Sequence, residues 1–190
     1  MNKIVGLVGE DPNDTLSVIN LLKQKFNKGI RYEQLIKKKV GYQLDNDRTK
    51  NALEIEFNRK KPDIVIFIRD ADVICTRDEQ IKKRKNWFTD LSKGLPCKNI
   101  LLLNIYELEA LIFADIDTFN KLYKTTIKGN RNVMYIHEPK EELMEKTRKT
   151  KNPYKESHCP EIFEKLNIDK VSDKCTYFRD FLNDFSKMLG

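Results

Sequence analysis

The stretch Ile64-Val-Ile-Phe-Ile-Arg-Asp-Ala-Asp72, IVIFIRDAD, decides how the chain is read. Its five opening residues are all β-branched or aromatic, and Pro62 stands just before them. A short apolar run without polar alternation predicts a strand buried on both faces, as in a parallel sheet covered by helices. The run then meets Arg69 and two aspartates spaced i, i+2, Asp70 and Asp72. Strand geometry predicts that Arg69 points opposite to Asp70. Two like charges at a strand end are either solvated turn chemistry or the ligands of something positive.

Outward from this stretch the pattern repeats. KIVGLVG (3–9) predicts a buried first strand. EDPNDTLSVINLLKQKF predicts a helix opened by acids and Pro12, with Leu16, Ile19, Leu22 and Phe26 on its apolar face and Gly29 after it. The segment from Ile30 is weakly strand-like, and a polar helix is predicted from about Asp47 to Lys60. A charged helix follows over 78–93, then the strand NILLLNIY (99–106) and an amphipathic ELEALIFAD. Strands alternating with helices predict an α/β fold with a mostly parallel sheet flanked by helices. Beyond Asp115 the pattern turns helical. VMYIH reads as an edge strand, the Lys-rich section 138–158 as a mobile loop, and the tail from Cys159 as two helices. The division is a core over 1–115 and a mainly helical C-terminal extension over 116–190, packed on that core.

In an open α/β sheet, ligands sit beyond the carboxyl ends of the strands, where strand order reverses. Glu10 and Asp14 follow the first strand, Asp70 and Asp72 the strand at 64–70, and Glu107 and Glu109 the strand near 99–106. Carboxylates delivered to one edge repel and raise each other's pKa unless a cation neutralises them. Hard oxygen donors suit Mg²⁺ or Mn²⁺, which can polarise a phosphodiester and activate water. Each acid taken alone also fits a helix cap or a turn.

The chain has 190 residues, a hydrophobic fraction of 39% and a net charge of +7, enough apolar content for a core and a surplus that favours a polyanionic partner. No signal-type or membrane-spanning run is present, which predicts a cytoplasmic protein without a membrane partner. The four cysteines carry no C-x-x-C spacing, so neither a disulfide framework nor a zinc site is expected. His158 and Cys159 are adjacent and do not face each other, which disfavours a nucleophile pair.

Gly9-Glu10, Asp14 four residues on, and Asp70-Ala-Asp72 resemble a TOPRIM domain, the metal-binding fold of topoisomerases, primases and OLD (overcoming lysogenisation defect) nucleases. YELEALIFAD (106–115) and NPYKESHCPEIFEKLNIDKV (152–171) resemble a small stand-alone TOPRIM-like family of unknown function linked to phage defence. The resemblance implies a Mg²⁺- or Mn²⁺-dependent nuclease acting on DNA or RNA. It makes Glu10 a general base or metal ligand, Asp70 and Asp72 metal ligands, and Asp14, Glu107 and Glu109 supporting ligands. It also implies a partner ATPase and leaves room for a homo-oligomer. Asp11 and Pro12 stand where OLD-type domains generally carry a glycine.

The same first strand and helix resemble a phosphoacceptor receiver, in which Asp70 would take phosphate. Against this, roughly sixty residues separate the two acid clusters, and IHEPK (136–140) is a poor strand-end Lys-Pro. A binding module without catalysis is the third reading. Candidate nucleic-acid contacts are the basic runs 37–39, 59–61 and Lys82, Lys83, Arg84 and Lys85, each of which also reads as a solvated face. Lys151, Tyr154, Lys155 and His158 form a further group: Lys155 or His158 to steady charge on the scissile phosphate, and Tyr154 to stack on an unpaired base. His137 is expected to be structural.

Overall fold

The apolar runs become strands. In the computed structural model, which describes residues 2–36, 47–73, 77–129 and 132–190, β1 (Lys3–Val8) leads through α1 (Pro12–Lys23) to β2 (Ile30–Gln34). Helix α2 (Asp47–Lys60) leads to β3 (Ile64–Asp70), and α3 (Asp78–Ser92) leads to β4 (Lys98–Asn104). These strands form one parallel sheet in the order β2-β1-β3-β4. The basic run 37–39 and Cys75 lie outside the described residues.

Side-chain alternation in β3 divides the core in two. Ile64, Ile66 and Ile68 pack with Val5 and Leu7 of β1 and with Val18, Leu21 and Leu22 of α1. Val65 and Phe67 pack on the opposite face with Leu53 and Phe57 of α2 and Leu91 of α3. Covered on both faces, the strand has no place for a polar alternation, which is why it reads as a continuous apolar run.

After β4 come α4 (Ala110–Ala114), α5 (Ile116–Tyr123), α6 (Pro139–Thr147), α7 (Cys159–Lys165), α8 (Ile168–Lys174) and α9 (Thr176–Leu189). Phe119, Phe163, Phe178 and Phe185 belong to the same apolar cluster as Val5, Leu7 and Ile66. The later helices therefore complete the sheet face that α1 begins. Asn20 Nδ2 on α1 donates to Pro160 O on α7 at 2.9 Å, and Lys98 Nζ on β4 donates to Met188 O on α9 at 2.9 Å.

Several local expectations are corrected. Leu16 is exposed; α1 buries Thr15, Val18, Ile19 and Leu22, an i, i+3, i+4, i+7 stripe that Leu16 falls outside. Helix α4 is buried on every side rather than amphipathic. Val133–Tyr135 is a 3-10 turn, with Asn132 Oδ1 accepting from Met134 N at 3.0 Å, so the edge strand is not there. The section 138–158 is anchored, since it contains α6 and buries Leu143, Thr147 and Tyr154. The tail makes three helices because Asn167 ends one run and caps the next, its Oδ1 accepting from Asp169 N and Lys170 N at 3.0 Å. Among the described residues no helix is long and apolar enough to cross a membrane.

Candidate functional site

The strand order reverses between β1 and β3, and the acids gather beyond their carboxyl ends. The turn from β1 into α1 is tight: a Cβ on Gly9 would stand 2.8 Å from Thr15 Cγ2. Asp11 caps α1, its Oδ1 accepting from Asn13 N at 2.7 Å, while Asp14 Oδ2 accepts from Asp11 N at 3.2 Å. This reciprocal capping box fixes Asp14 at the cavity wall. At the end of β3, Asp70 Oδ1 accepts from Asn104 Nδ2 of β4 at 2.9 Å.

The two aspartates of the IVIFIRDAD stretch do not share one point. Asp72 adopts φ 56° and Tyr106 φ 63°, both left-handed. Asp72 N donates to Tyr106 O, and Tyr106 N to Val73 O, each at 3.0 Å. These bonds hold a backbone that a non-glycine residue rarely adopts. The twist leaves Asp70 inside and turns Asp72 outward, 59% exposed and paired with Arg84 of α3 at 2.5 Å.

Glu10, Asp14, Asp70, Asp72, Glu107 and Glu109 all line one cavity of about 240 Å³, together with Asp11, Lys140 and Cys159. Three of these acids have a basic partner. Glu10 Oε1 lies 2.6 Å from Nε of Arg69, whose guanidinium sits 4.9 Å from the Trp87 ring centre. Asp72 pairs with Arg84, and Glu107 Oε1 lies 3.4 Å from Lys140 Nζ. Among the described residues, Asp14, Asp70 and Glu109 enter no ion pair. Burial, reinforced by the charges of Asp14 and Glu109, pushes the Asp70 carboxyl well above the usual range. Burial and the Glu109 charge do the same to Asp14, and burial raises Glu109 and Glu10. Glu109 accepts from the Tyr154 hydroxyl at 3.0 Å. Asn104 is fully buried, and its Oδ1 has no hydrogen-bond partner among the described residues.

A family described as Domain of unknown function (DUF4276) matches residues 10–186. The chain belongs to the DUF4276 family. No curated protein and no solved structure matches it. The DUF4276 match begins on Glu10 and ends within α9, so it takes in every acid of the cavity and the helices behind them.

Within this DUF4276 chain the basic and aromatic candidates are placed differently from the acids. Tyr154 is 2% exposed and bound to Glu109, so it presents no ring to an unpaired base. The reason is local: Thr147 Oγ1 accepts from Tyr154 N at 2.8 Å and draws the residue under α6. Lys155 is exposed and does not line the cavity; Lys140 does, between Glu107 and Glu156. His158 is bonded to the Tyr123 hydroxyl at 2.8 Å and lines a separate pocket. Lys82, Lys83, Lys85 and Lys151 are exposed, whereas Arg84 is held by Asp72. Burial pushes the Cys159 thiol up, so it stays protonated at neutral pH and is a poor nucleophile.

Sequence reasoning missed Lys140, Asn104 and the Tyr106–His137 pair, whose rings lie 4.6 Å apart. His137 is exposed there rather than embedded in the core. Lys140 was legible only as the last residue of IHEPK, and nothing local ties that segment to Glu107.

Oxygen donors of this kind suit a hard divalent ion. Among the described residues no three His, Cys, Asp or Glu side chains stand in the arrangement that ligates one metal as they are. Mg²⁺ does not require three, since it is commonly held by one or two carboxylates and keeps several waters. The uncompensated trio and the unpartnered Asn104 Oδ1 therefore fit a hydrated Mg²⁺ or Mn²⁺. A pH dependence follows. Raised carboxyl pKa values mean that the folded chain keeps protons which the unfolded chain releases above about pH 4. Their contribution is therefore favourable in acid and is lost as pH rises toward the folded values. In EDTA the melting temperature should fall between about pH 5 and pH 8, and Mn²⁺ should restore more of it at the higher pH. A metal-free melting temperature that rises over this range contradicts the burial of charge at Asp14 and Asp70.

Proposed function

We propose that the chain is a metal-dependent nuclease of TOPRIM type, hydrolysing phosphodiester bonds in DNA or RNA. The observation that carries this reading is the buried Asp14, Asp70 and Glu109 trio, which has no basic partner among the described residues and stands at the reversal of strand order. Asp70, Asp14 and Glu109 would hold the ion. When bound, Mg²⁺ or Mn²⁺ supplies Lewis acidity toward a phosphoryl oxygen and a water of lowered pKa.

The chain's own groups supply the rest. Asn104 orients Asp70 through Nδ2, and Tyr154 orients Glu109 through its hydroxyl. Glu10 Oε1 is engaged by Arg69, which leaves Oε2 to take a proton from the attacking water. Lys140 places a positive charge at the cavity wall, where it favours an incoming phosphate. The cavity, about 240 Å³, has room for about eight waters, or for a hydrated ion and a phosphate group but not a whole nucleotide. Bases must then stay outside, where the Tyr106–His137 pair offers a stacking surface. The sequence holds no phosphate loop of the G-x-x-x-x-G-K-[ST] type, so ATP dependence in a phage-defence setting would come from a partner ATPase.

The purified chain should cleave single- or double-stranded DNA or RNA in Mn²⁺ and not in EDTA. Glu10→Ala should lower the rate by about 10²-fold or more, the scale of losing one general base. Cleavage unchanged in Glu10→Ala removes the proposed base. A receiver reading keeps some support, because a flavodoxin-like strand order with an acid after β3 is shared with receivers. It predicts instead that acetyl phosphate labels Asp70 and that Asp72→Asn leaves the labelling intact.

A further inference from the structure

A second concavity, about 630 Å³, lies away from the carboxylates, between the segment after α5 and the far end of α6. Lys124, Lys128, Lys146 and Lys149 line it, along with three threonines and one acid, Glu142. All four lysines are exposed, and none enters an ion pair among the described residues. No aromatic residue lines the concavity.

This composition selects a partner chemistry. Four ammonium groups and several hydroxyls match a row of phosphate oxygens. The lack of an aromatic platform excludes base stacking, so the surface recognises backbone rather than sequence. We propose that this groove is a track for the sugar-phosphate backbone of a nucleic acid.

Its place in the fold relates it to the carboxylate cavity. Helix α6 carries Lys140 at its first turn, in the acidic cavity, and Lys146 at its last turn, in the basic groove. Six residues of helix separate them by about 9 Å along the axis and about a third of a turn around it. A strand held in the groove reaches the cavity by bending over the shoulder of α6, with two or three nucleotides spanning the gap at about 3.4 Å each. The groove thus deepens the nuclease reading by supplying a substrate track, and rests on that reading for this role alone.

The test separates the two. Binding of a fluorescent 20-nucleotide single strand is followed by anisotropy in EDTA over a salt series, for the full chain and for Lys146→Glu/Lys149→Glu. Both lysines are exposed, so the melting temperature should be unchanged. The variant should bind about tenfold more weakly, with a log–log salt slope shallower by about two, one unit for each lost phosphate contact. The Mn²⁺-induced rise in melting temperature should persist. Equal affinity and slope in the variant, or no binding by the unaltered chain, overturns the groove. Displacement of the strand by polyglutamate at equal charge concentration overturns it too, by assigning the surface to acidic proteins. Metal-dependent cleavage absent from the unaltered chain, with groove-dependent binding intact, sinks the nuclease and leaves the groove.

Discussion

Asp70→Asn should lower metal-dependent cleavage by about 10²–10³-fold, the scale on which a single polar group aimed at the reacting centre contributes, while leaving the fold at least as stable. Both halves follow from one arrangement. Asp70 is buried beside Asp14 and Glu109 with no basic partner among the described residues, and its charged form is disfavoured first by burial and then by those neighbours. Asparagine keeps the shape and can still accept from Asn104 Nδ2, but it removes the charge. In EDTA at about pH 8, where the native carboxyls are costly to ionise, the variant should melt higher than the unaltered chain. Near pH 5 the difference should shrink, because the native acids there keep their protons. Loss of activity together with loss of stability would mean that Asp70 holds the fold and not an ion.

Tyr154→Ala carries the largest expected cost in stability, about 3–5 kcal/mol, the range for truncating a buried aromatic residue. The ring is 2% exposed and packs edge-on to Phe119 and Tyr123, with centres 6.0 and 6.2 Å away. Tyr154→Phe should cost about 1 kcal/mol, the net worth of one hydrogen bond. It should also push the Glu109 carboxyl further up, since the hydroxyl that donates to its charged form is gone. Urea denaturation measures both. A change below about 0.5 kcal/mol for Tyr154→Ala would restore the reading of Tyr154 as a surface residue that meets nucleic acid.

The sheet was legible because burial on both faces leaves a mark that one chain shows by itself. IVIFI has no polar alternation, and the strand it predicts is β3 (Ile64–Asp70) at the centre of the order β2-β1-β3-β4. The acids were legible for a related reason: Glu10, Asp70 and Glu107 each follow a strand, and parallel strands open toward a common edge. What could not be read was their ranking. Whether Asp72 points in or out depends on a left-handed backbone tied to Tyr106, a contact 34 residues away in sequence. The local pattern gives the pair equal standing, yet Asp70 is enclosed and Asp72 faces Arg84.

The helical part was the least readable. Tyr154, Lys155 and His158 sit in a polar stretch that looks solvated, and only tertiary packing beneath α6 distinguishes them. Their neighbours in space, Glu109, Thr147 and Tyr123, are brought close by packing that leaves no periodic trace in the sequence. Lys140 was weighed as a strand-end residue because Pro139 precedes it. In the structure Pro139 instead opens α6, where its fixed backbone angle suits the first turn, and Lys140 follows into the cavity.

The central claim is that Asp14, Asp70 and Glu109 form the seat of a divalent ion. Mn²⁺ titration followed by calorimetry and by electron paramagnetic resonance, on the unaltered chain and on Asp14→Asn/Asp70→Asn, tests it without reference to a substrate. The account predicts saturable binding of Mn²⁺ to the unaltered chain, weakening as pH falls toward about 5 because protons compete for the same oxygens, and its loss in the double variant. Mn²⁺ bound equally well by the double variant, or not bound by the unaltered chain at neutral pH, contradicts it.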